Sequence, residues 1–457
     1  MAILDADLAH RLPPGPVGAH RLLRHIRALR TDAPTLFEAL RRGYGDTVRL
    51  PLGLLTATLV FHPDGIKHVL QDNNANYVRG IGYERFKIFM GDGLLTTDGP
   101  LWRERRRTIN PMFHRMAIGE MVDTMASATA EAIGRWETLG PDGYAGDVVP
   151  EMMGVTLSAM GRIMFDTDLA ADRERIGDAM DTAVRAMVFR GTMPELLPAW
   201  MPFPSNRRTV AARDVLHEVI DRIIAAHRDG SHGNRPDLVN LLLAEADSGG
   251  LDDVAVRDEL MTIFMAGHET TATALAWTLF EVARDPEVQQ RLFEEAQRVF
   301  GGSGEPHLAD LAELTYTRMV LDEALRLHPP IWVFPRATVD DDDIAGSHVP
   351  AGECVFLSPY VTHRHPDLWD DPTRFDPERF TEAAKRERPR YTYFPFGGGQ
   401  RKCVGESMAL TQMTLTLAMM VSRFTFHALP GLGEELSTAV SLRPARGIGL
   451  RIVPRDA

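Results

Sequence analysis

Through most of this chain, apolar residues recur every three or four positions, the spacing of an amphipathic helix. That pattern predicts helices at Thr35–Arg42, Pro63–Asn73, Leu101–Asn110, Gly119–Thr138, Glu151–Phe165, Asp172–Val188, Arg207–Arg228, Asp237–Ala246, Pro286–Phe300, Tyr316–Leu327 and Ser407–Arg423. Strand-like alternation is confined to Asp46–Leu52, Thr56–Phe61, Cys354–Leu357 and Gly447–Val453. The expected fold is mainly α, with small β-sheets near the N- and C-terminal parts. Residues 1–457 are expected to form a single domain, since no long linker or fixed-period repeat interrupts them. Arg79–Gly99, with five glycines, three aromatic residues and no clean period, reads as a long loop of the kind that carries function.

One segment is apolar on nearly every side. Between Glu259 and Glu281 the only charged residue is Glu269, over about the 20 residues that a bilayer crossing needs. Gly267, His268 and Glu269 near its middle, together with five threonines, argue against lipid, where a central carboxylate is costly. A helix from Asp252 to Arg284, buried all round in a large domain, fits better.

Composition narrows the function. The chain carries 63 acidic and 50 basic residues, a net charge of −13, which argues against a protein that coats nucleic acid. With only Cys354 and Cys403 there is no disulfide framework. Asp5 and Asp7 stand where a signal peptide would be basic and then apolar, so a cytoplasmic location is expected.

The richest string is Phe394–Leu410, FPFGGGQRKCVGESMAL. Glycines before Cys403 permit positive φ and close backbone approach, and the helix pattern after it favours negative charge at its start. Three chemistries compete for such a sulfur. A covalent nucleophile needs a nearby base; zinc needs further Cys or His at ligand spacing, which the neighbourhood lacks; haem iron needs one thiolate, an apolar shield and cations for its propionates. The spacing Phe396-x-x-Gly399-x-Arg401-x-Cys403-x-Gly405 resembles the haem-binding signature of the cytochrome P450 family at every fixed position. That resemblance implies haem b with Cys403 as its iron ligand, Phe396 beside the sulfur and Arg401 on a propionate.

Other motifs agree with it. Ala266-Gly267-His268-Glu269-Thr270-Thr271 is not a zinc-protease HExxH, because Ala272 stands at the last position. It resembles the family's acid–alcohol motif, which implies that Thr270 hydrogen-bonds dioxygen at the haem while Glu269 and waters relay protons. Ala266 and Gly267 are small where the helix would pass the porphyrin. Glu323 and Arg326 resemble the family's Glu-x-x-Arg pair, with Arg379 of Pro377-Glu378-Arg379-Phe380 as third member, implying a buried structural triad. Trp102 and Arg106, one turn apart, and Arg336 match positions that meet the propionates.

Position alone suggests the substrate contacts: Phe86, Phe89, Thr262, Met265, Ile331, Val333 and Val440, mostly apolar and suited to a hydrophobic small molecule. The expected activity is that of a haem-thiolate monooxygenase that hydroxylates or epoxidises such a molecule. Alternative readings are a peroxide-dependent or rearranging enzyme and a non-catalytic haem-binding sensor, against which the intact Glu269-Thr270 pair argues. No fused reductase is expected, so electrons would come from a ferredoxin or flavodoxin with its reductase, docked on Arg103, Arg105, Arg107, Arg401 and Lys402.

Overall fold

A computed structural model describes residues 12–16, 25, 27–29, 31–52, 55–80, 82–140, 143–192, 203–230, 237–301, 306–433, 435–438 and 441–455. The longer helices are α1 (Ala33–Tyr44), α2 (Tyr83–Met90), α3 (Gly99–Ile109), α4 (Arg115–Glu137), α5 (Val148–Met164), α6 (Arg173–Thr192), α7 (Pro204–Arg228), α8 (Leu238–Asp247), α9 (Asp253–Arg284), α10 (Pro286–Phe300), α11 (Thr315–Leu327) and α12 (Glu406–Arg423). The strands are β1 (Thr47–Leu52), β2 (Leu55–Val60), β3 (Tyr77–Arg79), β4 (Tyr144–Asp147), β5 (Phe334–Thr338), β6 (Asp342–Ile344), β7 (Ser347–Val349), β8 (Cys354–Leu357), β9 (Phe424–Ala428), β10 (Leu436–Thr438), β11 (Leu442–Pro444) and β12 (Gly449–Pro454). The fold is mainly helical with small sheets. The chain forms two compact units, one of Met1–Ile81, Asp322–Cys403 and Leu436–Arg443, the other of Gly82–Leu321, Val404–Glu435 and Pro444–Ala457.

The first unit is built on a five-stranded sheet in the order β1-β2-β8-β5-β3. Its β2–β8 pair is parallel and its other pairs antiparallel. One apolar cluster gathers Val60, Leu70, Phe334, Leu357 and Phe394; another gathers Phe37, Val48, Phe61, Trp332 and Val361. The expected helix Pro63–Asn73 is α-helical only to Lys67 and continues as a π turn over His68–Asp72. Asn73 N–H there bonds to His68 O, five residues back, at 2.9 Å.

The second unit is helical around α9. Asp252 caps this helix, its carboxylate accepting from Ala255 N–H at 2.7 Å. Apolar and small residues then bury the helix along most of its length, from Val256 to Val282. Contacts with α5 hold its middle: Thr156 Oγ1 donates to His268 O at 3.1 Å, and His268 Nε2 lies 3.2 Å from Met153 O. No helix among the described residues is long and apolar enough to cross a membrane. A three-stranded sheet, β4-β12-β9, completes this unit.

The segment Arg79–Gly99 is not one loop, because Tyr83–Met90 (YERFKIFM) folds as α2. Those eight residues contain no glycine or proline; the five glycines that made the segment look irregular all lie outside them.

Candidate functional site

Spacing puts Glu323 and Arg326 one turn apart on α11, and the fold buries both side chains completely. Arg326 uses all five N–H donors. Nε and Nη2 grip the Glu323 carboxylate at 2.6 and 2.7 Å, and the other three go to the carbonyls of His363, Pro372 and Arg374 at 2.7–3.0 Å. Glu323 also accepts from Asp376 N–H at 2.8 Å and lies 3.5 Å from Arg379 Nε. Burial raises the Glu323 carboxyl pKa, opposed first by the hydrogen bonds from Arg326. The geometry thus brings the three expected residues together.

From Phe394 the chain turns tightly. Gly397 and Gly399 adopt φ of +71° and +63°, which L side chains rarely do. A methyl group on Gly398 would strike the Tyr391 ring, and one on Gly399 the carbonyl oxygen of Leu70 in the π turn. Cys403 N–H donates to Phe396 O at 3.0 Å, closing the loop. The Cys403 side chain is exposed, whereas Cys354 is buried in β8. Phe396 and Arg401 are half-buried in the same loop. Arg336, only 7% exposed, lies 5.0 Å over the Phe334 ring and donates to Pro335 O at 2.9 Å. An exposed thiol at the end of a glycine-cradled turn, with arginines and an aromatic ring in the same unit, could hold a haem iron.

In the second unit Trp102 is buried and Arg106 half-buried, one turn apart on α3. On α9, Ala266 and Gly267 are exposed between buried Met265 and buried His268. Thr270 Oγ1 donates to Ala266 O at 2.8 Å, and Glu269 is 5% exposed. Gly405 precedes α12 at φ −85°, which any residue can adopt, and a methyl there would meet Phe113 at an ordinary 3.7 Å.

Among the expected substrate contacts, Phe86 is half-buried beside Tyr83 with ring centroids 5.6 Å apart, and Phe89 is fully buried. Thr262 is buried against the backbone of Gly93. Ile331 and Val333, in the first unit, are half-buried against its two separate apolar clusters. Val440 lies outside the described residues.

Arg105 does not join an exposed basic face. Two residues along a helix is a rotation of about 200°, so Arg103 and Arg107 face out while Arg105 turns inward. There its Nε lies 3.5 Å from Glu259, a fully buried carboxyl on α9 that also accepts Leu94 N–H at 3.0 Å. Burial pushes the Glu259 pKa up to about 7. One turn of segment is pinned here as well: Asp92 N–H donates to Asp258 at 2.7 Å. Burial raises the Asp258 pKa too. Sequence reasoning missed this pair, although helical rotation alone separates Arg105 from its neighbours.

A family model described as Cytochrome P450 matches residues 13–450. Cyclooctatin synthase of Streptomyces melanosporofaciens is 34% identical over 454 residues, 97% of this chain and 95% of that protein. Pentalenene oxygenase of Streptomyces avermitilis is 31% identical over 425 residues, covering 92% of this chain and 93% of its own length. Cyclooctat-9-en-7-ol 5-monooxygenase of Streptomyces melanosporofaciens is 34% identical over 419 residues, 91% and 89% of the two chains.

Proposed function

This chain belongs to the cytochrome P450 family as a monooxygenase, and we propose that it hydroxylates or epoxidises a hydrophobic, hydrocarbon-rich small molecule with dioxygen and two external electrons. The observation that carries this reading is the exposed Cys403 sulfur on a turn whose backbone is fixed by glycine conformations and by the buried Glu323–Arg326 anchor. A bound haem b supplies the oxygen-activating redox chemistry.

Cys403 is the group that would hold the iron, with Phe396 shielding the sulfur. Arg336 and Arg401 in the first unit, and Trp102 and Arg106 in the second, offer N–H donors suited to propionate carboxylates. Ala266 keeps the exposed stretch of α9 free of bulk. Because the Thr270 hydroxyl donates to Ala266 O, its oxygen is presented as an acceptor for a water or a protonated oxygen. Glu269, buried and adjacent to it in sequence, would pass protons along such waters.

The relatives' names denote an unsaturated hydrocarbon and an unsaturated alcohol, which favours cyclic alkenes or their alcohols as substrates. Phe86, Phe89 and Met265 suit such molecules. Arg103 and Arg107 in the second unit are exposed cations that would attract an acidic ferredoxin or flavodoxin, and Lys402 in the first unit is exposed as well.

The test is spectroscopic. The haem-loaded protein, reduced under carbon monoxide, should show the strongly red-shifted Soret band of thiolate ligation. Cyclic alkenes should shift the spin state of the ferric form, and Cys403→Ser should abolish the red-shifted band. A histidine-type spectrum in the unsubstituted protein would overturn the proposal.

A further inference from the structure

His363, which is fully buried, links the buried anchor to the cysteine turn. Its Nε2 accepts the Phe394 N–H at 3.0 Å. A backbone amide can only donate, so Nε2 carries no proton; Nδ1 carries it and donates to Arg326 O at 3.3 Å. The His363 carbonyl in turn accepts from Arg326 Nη1 at 2.8 Å. One residue therefore exchanges two hydrogen bonds with Arg326 and accepts a third from Phe394, where the cysteine turn begins.

The imidazole ring also fixes the direction of that turn. It packs edge-on against Phe394 at 5.4 Å and tilted against Tyr393 at 5.2 Å between centroids. Tyr393 OH donates to Asp322 on α11 at 3.1 Å. Phe394 O then accepts Gly397 N–H at 2.9 Å, and Phe396 O accepts Cys403 N–H at 3.0 Å. A continuous hydrogen-bonded path so runs from the end of α11 through His363 to the amide of Cys403. Burial and the neighbouring Arg326 charge both keep the ring neutral, as an acceptor at Nε2 must be.

We propose that His363 is the positioning residue for the haem thiolate: its Nε2, by accepting the Phe394 amide, sets the cysteine turn in register on the Glu323–Arg326 anchor. The inference rests on Cys403 being the iron ligand, as proposed above. Two amide variants separate the bond from mere bulk. His363→Gln carries its amide one methylene further and can still reach the Phe394 N–H. His363→Asn ends at the depth of Nδ1, reaching the Arg326 carbonyl but not that amide.

The readout is the fraction of ferrous carbon monoxide complex that loses the red-shifted Soret band, with hydrogen–deuterium exchange of the peptide 391–403. H363N should raise that fraction about fivefold and speed exchange at the start of the turn, the effect of losing one buried hydrogen bond. H363Q should keep the unsubstituted protein's band. A merely structural role would lower the melting temperature of both variants and leave the band position in the folded fraction unmoved. Equal behaviour of the two variants, or greater loss in H363Q, overturns the proposal. Absence of the band from the unsubstituted protein overturns instead the assignment of Cys403 as ligand.

Discussion

Replacing Arg326 with methionine keeps the bulk of the side chain and strands Glu323 in a site with no solvent exposure. The carboxylate would retain the Asp376 N–H at 2.8 Å and Arg379 at 3.5 Å but lose both short bonds from Arg326. A stranded carboxylate can escape by taking up a proton, so its cost is capped by the cost of protonation. From the ordinary value of 4.5, that cap is about 3 kcal/mol at pH 7 and under about 1 kcal/mol at pH 5. A second loss does not depend on pH. The carbonyls of His363, Pro372 and Arg374 are left without their donors, on the order of 1–3 kcal/mol each where water cannot reach them.

The sign follows from linkage. Once Arg326 is gone, the folded-state pKa of Glu323 rises further above its unfolded value. The variant therefore loses stability, relative to the unsubstituted protein, as pH climbs above 4.5. Urea unfolding followed by far-ultraviolet circular dichroism at pH 7 and pH 5 measures this, provided the slope with denaturant is unchanged. The penalty of R326M should shrink by about 2 kcal/mol at the lower pH. The double variant E323Q/R326M should be more stable than R326M at pH 7 and show no such recovery. A penalty equal at both pH values would refute the claim that a stranded Glu323 carboxylate contributes to the loss.

Other expectations follow from separate contacts. Glu259, with its pKa raised from 4.5 to about 7 by burial, binds its proton more tightly in the folded state, so stability should fall by up to about 3 kcal/mol as pH rises across that window. Glu259→Gln should flatten this slope in urea titrations, and parallel curves would count against it. Gly399→Ala places a methyl against Leu70 O at a φ of +63° and should erase the thiolate-type Soret band. Gly301→Ala, at φ +55° with open space around it, should leave the band intact. Glu295 on α10 accepts from Tyr316 N–H, Thr317 N–H and Thr317 Oγ1, each at 2.7 Å, at the start of α11. Glu295→Ala should cost about 2–4 kcal/mol in urea unfolding, and a loss below about 0.5 kcal/mol would show those bonds to be replaced by water.

Helices were the most legible elements, because a 3.6-residue period survives over many turns; α10 coincides with the expected Pro286–Phe300. Strands were harder. β3, β6 and β7 have three residues each, too few for alternation to register. β5 contains Pro335, which reads as a breaker yet sits in the sheet opposite Phe356. The cysteine turn and the Glu323–Arg326 pair could be read because their residues are neighbours in sequence. His363 could not, since its partners lie 31 and 37 positions away and nothing local marks the contact. Arg105 was misassigned by counting charges without turning the helix.

The contrast between the two thiols has a practical corollary. With Cys354 enclosed in a strand and Cys403 open to solvent, an alkylating reagent applied to the native chain meets one reachable target. Intact mass after brief labelling therefore counts, molecule by molecule, how many copies have the Cys403 sulfur, the proposed iron ligand, engaged. An unmodified fraction equal to the pigment content would tie occupancy to that atom without any substitution.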